Sequence, residues 1–463
     1  MNLSKNTLIA RVIRSNWFPL VLQVLMFLAF GAIVWGGWGI TSEDATFAKI
    51  LRNTNLSNLL VWSYWWPMIV VCAILLGRVW CTVCPMEWVS YLASRVGLRR
   101  PVPKFFKSGW LITVFYVVTL VVGVHTFSIH RQPHRMALYM MILMWLALVF
   151  GLLFQRRAFC SYVCPVGHLL GLYSRMSILK WGVADTQVCD TCRTKDCIEK
   201  DRHYRLIGRS CTSGLYPATM QNPEECLLCT QCAKACPNQN VALSLRVPFK
   251  GMFGSTAFRN SQIAFVMILS GFVVYEILSE WSSSKAILTW IPKALVDATH
   301  MVKPLDGLLS SMVMFIGYPL VLYAGVWLLS TLFSQNGVKS IAGALSLLLL
   351  PMMAGAHLVK ACLKMTSRLP YWNYVFTDPL GINTADRLHN GVLELDKTIP
   401  NALGPWLTAM MVLIMLATLF VSTGILRRSE TLQSLDRGGR TSVATGALLY
   451  WIVFAVTIVA WRI

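Results

Sequence analysis

Long apolar runs separated by short polar stretches dominate the chain. Apolar stretches of about 18 residues or more can cross a bilayer as helices. They fall at roughly 17–37, 58–79, 109–128, 137–155, 262–279, 308–333, 341–362, 406–426 and 443–461. The pattern predicts a mainly α fold, a polytopic membrane helix bundle of about nine spans. The basic stretch Met1 to Ser15 precedes an apolar run long enough to stay as a span rather than be cleaved as a signal peptide. Residues 178–257 break the pattern. They are polar and cysteine-rich, with Pro217, Pro223 and Pro237 as breakers, and no run is long enough to span. The expected organisation is a four-span region over 1–177, a small inserted domain over 178–257, and a membrane region of about five spans over 258–463. The inserted domain is expected to owe its order to bound metal more than to an apolar core.

Composition agrees with the pattern. Of 463 residues, 56% are hydrophobic and 13% charged, against about 25% charged in ordinary soluble domains. The net charge of +21 would suggest nucleic acid in a soluble protein. No basic segment carries a recognition motif, so nucleic acid is excluded as a partner and the lipid bilayer takes its place. Lys and Arg instead mark cytoplasmic loops. Arg11 and Arg14, then Arg95, Arg99, Arg100, Lys104 and Lys107, then Arg156 and Arg157, and finally Arg427, Arg428, Arg437 and Arg440 all fall on one side if the spans alternate. This puts the N-terminus and the cysteine-rich domain in the cytoplasm and the C-terminus outside. The outer loops then include 38–57, 129–136, 280–307 and 363–405.

The N-terminal half contains a repeat. The second span ends in Trp80-Cys81-Thr82-Val83-Cys84-Pro85 and the fourth in Phe159-Cys160-Ser161-Tyr162-Val163-Cys164-Pro165. Both continue in register to a Ser-Arg pair, Ser94-Arg95 and Ser174-Arg175. Two spans followed by a motif, twice over, form a parallel repeat whose motifs share one surface. Proline favours the first helical position, so Cys84 and Cys164 are expected at helix N-termini, where the dipole lowers a thiol pKa. Cys81, Cys84, Cys160 and Cys164 form a candidate four-thiolate site for a third iron–sulfur cluster or another soft metal. The alternative is free thiols, or a redox-active pair, at the mouth of a quinone pocket. His168, one turn beyond Cys164, is a candidate to line the four-thiol site or a quinone headgroup, a surface histidine at the membrane interface being the alternative.

The most specific chemistry lies between Cys189 and Cys236. The run Cys226, Cys229, Cys232, Cys236-Pro237 has the C-x2-C-x2-C-x3-C-P spacing of bacterial ferredoxins, in which three thiolates wrap one [4Fe–4S] cube and the fourth reaches a second. Cys189, Cys192 and Cys197 supply the second set of three, and Cys211 the missing ligand. One cluster is therefore assigned to Cys189, Cys192, Cys197 and Cys236, the other to Cys211, Cys226, Cys229 and Cys232. A pair of zinc sites is the alternative, but zinc ligands more often come as separated knuckles. Full thiolate ligation implies electron conduction and no substrate chemistry at the irons. Among the histidines, His357 lies in an apolar segment with no second histidine at matching depth to pair with it at a haem. His125, His130 and His134 are expected in a solvated outer loop.

Paired Cys-Pro motifs at span ends, followed by a two-cluster ferredoxin segment, resemble the NapH/NosR-type membrane polyferredoxins, to which MauN-like and CcoG-like proteins are related. The resemblance covers roughly residues 55–240. The first motif departs from it, being Cys-x2-Cys-Pro where the family has Cys-x3-Cys-Pro, and the C-terminal spans exceed the NapH-like plan. The resemblance implies a multi-pass protein of the bacterial cytoplasmic membrane. Such a protein passes electrons between the quinone pool, or a cytoplasmic donor, and a partner redox complex. Two alternatives stand beside it: a maturation factor that reduces a metal or thiol for a respiratory enzyme, and a transporter-like scaffold that senses redox state.

Overall fold

A computed structural model describes residues 2–220, 223–254 and 257–462, with the side chains of His125 and Arg462 outside the described set. In chain order its principal helices are α1 (Thr7–Arg14), α2 (Leu20–Gly37), α3 (Ala45–Thr54), α4 (Leu56–Leu76), α5 (Pro85–Val96), α6 (Trp110–Val124), α7 (Pro133–Leu153) and α8 (Pro165–Ser174). The chain then runs through strand β1 (Leu179–Val183), short helix α9 (Gln231–Ala235) and strand β2 (Val241–Leu245). It ends with α10 (Asn260–Leu278), α11 (Ser282–Thr299), α12 (Leu305–Thr331), α13 (Val338–Ser367), α14 (Thr398–Arg428) and α15 (Arg437–Arg462).

The protein is a mainly α membrane bundle. Among the described residues eight helices are long and apolar enough to cross a membrane. The ninth expected span, over 109–128, is the shorter apolar helix α6. From Thr119 it widens into π-helical turns that run on to Thr126. Helix α11 was not anticipated, because it is amphipathic: Ser284, Leu288 and Pro292 are buried at i, i+4 spacing while Ile287 and Trp290 are exposed.

The chain divides into two compact units, each discontinuous in sequence: 1–35, 69–112 and 138–251 form one, and 36–68, 113–137 and 252–463 the other. In the second unit α13 is the axis. Of its most apolar window 89% is buried, against 22% to 56% for the other seven long helices. It packs on α10, α14 and α15. At Gly355 an added Cβ would meet Thr418 Cγ2 at 2.2 Å, so α13 and α14 approach as closely as a small residue allows.

The first unit holds every cysteine motif. Strands β1 and β2 pair antiparallel, Trp181 facing Leu243 and Val183 facing Val241. The apolar pattern gave no hint of this two-stranded sheet. It closes the cysteine-rich segment around a small core of Trp181, Met220, Leu228, Ala233 and Val241. Helix α1 covers that core with Ile9 and Ile13. Arg14 clamps it from the helix end, donating to Gln239 Oε1 at 2.7 Å and to the Gln239 carbonyl at 3.1 Å. The domain thus has an apolar core of its own besides its thiols, and the basic N-terminus is part of its wall.

Candidate iron-sulfur centre

The first cysteine set follows from the sheet. Asp185, just after β1, caps the short helix Thr186–Asp190 by accepting from the Gln187 amide at 2.8 Å, and that helix carries Cys189. Cys189, Cys192, Cys197 and Cys236 line one cavity, together with Tyr216, Pro237 and Asn240. Burial pushes the Cys197 thiol up to about 11, and Cys236, Cys189 and Cys192 add to the rise. Asn240 crosses the cavity wall: its side-chain amide donates to Cys189 Sγ at 3.2 Å and its backbone N–H to Cys236 Sγ at 3.4 Å.

The second set lies on the loop into α9. Leu228 and Thr230 adopt left-handed backbone at φ 59° and 61°, so the chain turns sharply on either side of Cys229. Burial first, then Cys229 and Cys211, push Cys226 up to about 12. Cys232 is raised well above its ordinary value by burial, then by Cys229, Cys226 and Cys211, and also by Cys197. Cys197 belongs to the other set, so the two groups are neighbours. The Leu215 amide donates to Cys211 Sγ at 3.4 Å.

The repeated motifs bring four more thiols together. Pro85 and Pro165 begin α5 and α8, with Cys84 and Cys164 at the N-cap positions. Cys164 Sγ accepts from the Gly167 amide at 3.3 Å, whereas Cys84 makes no capping bond. Burial lifts Cys84, and Cys81 and Cys164 lift it further. Cys164 is pushed up to about 11, by burial and by Cys81. Cys160 rises well above its ordinary value, burial again first and Cys164 next. The expectation that the helix dipole would lower these thiols is therefore overturned. The helix-end amides do pull Cys84 and Cys164 down, but burial, helped by the neighbouring thiols, outweighs them and the net shift is upward.

Two arginines complete this group: Arg78, and Arg157, which the charge pattern marks only as a loop cation. Arg78 and Arg157 are both buried. Arg78 Nη2 lies 3.0 Å from where a Cβ on Gly167 would sit, and that same point is 3.6 Å from Cys164 Sγ. A side chain at 167 would crowd the guanidinium and push it aside by a few tenths of an ångström. Arg78 feels the charges of Cys81, Cys160 and Cys164, and Arg157 that of Cys160. Arg78 Nε and Nη2 and Arg157 Nε and Nη1 are buried without a hydrogen-bond partner. The repeat itself carries the signal, since each arginine stands three residues before the first cysteine of its motif.

Other side chains lock these helices to the cysteine-rich segment. Arg175, from the second Ser-Arg pair, forms an ion pair with Glu224 at 2.5 Å. Arg95, from the first, donates to the Tyr204 carbonyl at 2.9 Å. Glu87 on α5 pairs with Arg209 at 3.1 Å, both fully inside, with the guanidinium 3.7 Å over the Tyr91 ring. His168 is half-buried on α8, its backbone N–H donating to the Cys164 carbonyl at 3.2 Å.

The donor sets fit iron–sulfur cubes. Bare, Cys84, Cys160, Cys164, Cys197, Cys226, Cys229 and Cys232 resist ionisation, first through burial and then through their neighbouring thiols; iron would supply compensating positive charge. Among the described residues no three His, Cys, Asp or Glu side chains converge tightly enough for one metal ion. A cube spreads its four thiolates wider than tetrahedral zinc, whose sulfur bonds are about 2.3 Å. The unpartnered N–H groups of Arg78 and Arg157 suit the anionic sulfur of such a group.

Comparison with known proteins points the same way. A 4Fe-4S binding domain matches residues 58–103 and 137–183, the two halves of the repeat, each with one Cys-Pro motif. The chain is 25% identical over 239 residues to Protein NirI of Paracoccus denitrificans, covering 45% of this chain and 33% of that protein. It is 28% identical over 129 residues to the methylamine utilization ferredoxin-type protein MauN of the same organism, covering 25% of this chain and 46% of MauN. With the ferredoxin-type protein NapH of Haemophilus influenzae the identity is 21% over 236 residues, covering 49% of this chain and 68% of NapH. The chain thus spans about a third of the length of NirI and under half of MauN. No solved structure matches.

Proposed function

We propose that this chain, a membrane iron–sulfur protein of the ferredoxin type and similar to NapH, conducts electrons between the quinone pool or a cytoplasmic donor and a partner redox complex. The observation that carries the reading is the gathering of Cys189, Cys192, Cys197 and Cys236 in one cavity beside Cys211, Cys226, Cys229 and Cys232. Each set holds one [4Fe–4S] cluster in this reading, and Cys81, Cys84, Cys160 and Cys164 hold a third. Bound cubes supply one-electron acceptance and release at potentials set by charge, hydrogen bonds to sulfur and exposure.

The chain's own residues set those three terms. Asn240 and the Leu215 and Gly167 amides donate to ligand sulfurs. Trp181, Leu228 and Val241 keep water from the two adjacent sets. Arg78 and Arg157 place positive charge against the Cys-Pro thiols, which favours the reduced, more negative state there. Cys81 is buried and its three partners are half-buried. That burial favours a resident centre over thiols offered to a client, and so favours conduction over a maturation role. His168 is the candidate contact to a quinone headgroup.

Iron and acid-labile sulfide per chain, measured on anaerobically purified protein with low-temperature EPR, test the reading. About twelve irons are expected for three cubes, and about eight for the ferredoxin pair alone. Fewer than about four irons, with zinc in their place, would sink it.

A further inference from the structure

The unit formed by 36–68, 113–137 and 252–463 contains a charged cluster that the electron path does not use. Its acids are committed. Glu280 pairs with Lys360, and Glu276 with Lys364 at 3.6 Å. Three arginines from three elements are left over: Arg52 on α3, Arg131 in the loop before α7, and Arg368 at the end of α13. None of them forms an ion pair among the described residues. They are close enough that Arg368 and Arg131, after burial, depress Arg52 to about 10, against the opposing charge of Glu280. All three are half-buried, and partly desolvated cations clustered together attract an anion.

Neutral donors converge on the same place. Asn58 ties it together, its amide donating to the Arg52 carbonyl at 2.9 Å and the His130 carbonyl at 3.4 Å. The rings of His130 and Trp62 meet edge to face at 6.4 Å. Trp62 sits on a π-helical turn, Leu60–Trp65, within α4, a distortion that recurs at functional sites. Arg131 Nε donates to His130 Nε2 at 3.2 Å, which leaves the proton on Nδ1. Burial, then Arg131, Lys364 and Arg52, hold His130 down to about 3, so it stays neutral. Three donors, Arg52 Nε, Trp62 Nε1 and His130 Nδ1, and one acceptor, Asn58 Oδ1, are buried without a partner. Asn58 itself is 1% exposed.

We propose that Arg52, Arg131 and Arg368, with Trp62, His130 and Asn58, bind an oxyanion that also carries a hydroxyl group. The guanidinium groups offer the charge and planar forks that suit phosphate oxygens. The indole and imidazole N–H groups direct further oxygens. The Asn58 carbonyl needs a donor, which a bare anion such as nitrate lacks and hydrogen phosphate has. The elements involved carry the loops that the charge pattern assigns to the outer side. Free phosphate and the headgroup of phosphatidylglycerol, a phosphodiester with free hydroxyls, both have this chemistry.

Equilibrium binding separates the two sources. The full chain, purified with its clusters in phosphate-free detergent, is titrated with radiolabelled orthophosphate. A second sample is assembled in nanodiscs of phosphatidylglycerol or phosphatidylcholine, then delipidated and assayed for retained lipid. Saturable binding of one orthophosphate per chain, weakened about tenfold or more in Trp62→Phe and Arg52→Gln, supports a free oxyanion. No orthophosphate binding, but one phosphatidylglycerol retained per chain and lost in both variants, supports the headgroup. Retention of neither, or binding that Trp62→Phe leaves unchanged, overturns the proposal. Trp62→Phe removes one N–H and keeps the ring, so it decides the matter even where Arg52→Gln fails to fold.

Discussion

Arg78 and Arg157 hold equivalent places in the repeat and make equivalent bonds. Arg78 Nη1 donates to the carbonyl of Glu224 at 3.0 Å, and Arg157 Nη2 to the carbonyl of the next residue, Glu225, at 3.2 Å. One short segment of the cysteine-rich domain is thereby gripped by both copies of the motif. Their remaining N–H groups stay beside the Cys-Pro thiols. If a third cube sits there, Arg78→Gln and Arg157→Gln should each lower its reduction potential or its occupancy. In the latter case iron falls from about twelve toward about eight per chain. Cys81→Ser and Cys160→Ser should remove the same centre outright. The EPR signals of the two ferredoxin cubes should survive in all four variants; their loss would contradict a separate centre.

Asn240 offers a finer measurement. Its side-chain amide donates to Cys189 Sγ and also to the Asp185 carbonyl at 2.5 Å. A hydrogen bond to sulfur stabilises the reduced cluster more than the oxidised one, since the reduced cluster is more negative. Asn240→Leu removes the side-chain bond and keeps the backbone one to Cys236. The potential of that one cube should fall by tens of millivolts, about 40 mV for a bond worth about 1 kcal/mol in a one-electron couple. Redox titration followed by EPR reads this directly. Equal shifts at every cluster, or none, would count against Asn240 as a ligand-shell residue.

What the sequence made legible was whatever chemistry or length dictates locally. Nine apolar helices can be read because lipid demands apolar length. The ferredoxin spacing can be read because a cube fixes the separation of its ligands. The strands β1 and β2 cannot, because 57 residues separate Val183 from Val241 and their pairing is decided by tertiary closure. The cover of Ile9 and Ile13 over the cysteine core escapes notice for the same reason. His130 reads as a solvated outer histidine with His125 and His134, yet it is half-buried against Trp62 and Arg131 with its Nδ1 fully covered, a correction that only packing supplies. His134 Nδ1 is occupied too, accepting from the Gly39 amide at 3.0 Å. The side chain of His125 lies outside the described residues.

Glu87 and Arg209 join α5 to the loop before the second cysteine set, and their side chains are 2% and 5% exposed. Removing one partner leaves a buried charge alone, at a cost of about 3–5 kcal/mol. Arg209→Met, which strands the carboxylate, should lower the melting temperature strongly. Glu87→Gln should do so too, moderated by the Tyr91 ring beneath the guanidinium. The double variant Glu87→Leu with Arg209→Met should recover much of the loss, because both desolvation penalties vanish together. Additive losses in the double variant would show that the two residues act independently.

The neutral His130 predicts a pH dependence of fixed sign. Its pKa is near 3 in the folded protein, against about 6.5 in an unfolded chain. Between those values the unfolded state binds more protons, so acidification favours unfolding. The stability that this histidine contributes is fully present above pH 6.5 and is lost as the pH falls toward 3, at up to about 1.4 kcal/mol per pH unit. Arg131, Lys364 and Arg52 oppose its protonation and Glu276 favours it, so the window stays open through the mildly acidic range. Melting temperatures taken in phosphate-free detergent from about pH 7 to pH 4 should therefore fall more steeply for the native chain than for His130→Asn, which has no proton to take up. Acid loss of the clusters affects both proteins alike, so the difference between the two curves isolates the histidine. Parallel curves would mean that His130 is already charged, or open to water, at neutral pH.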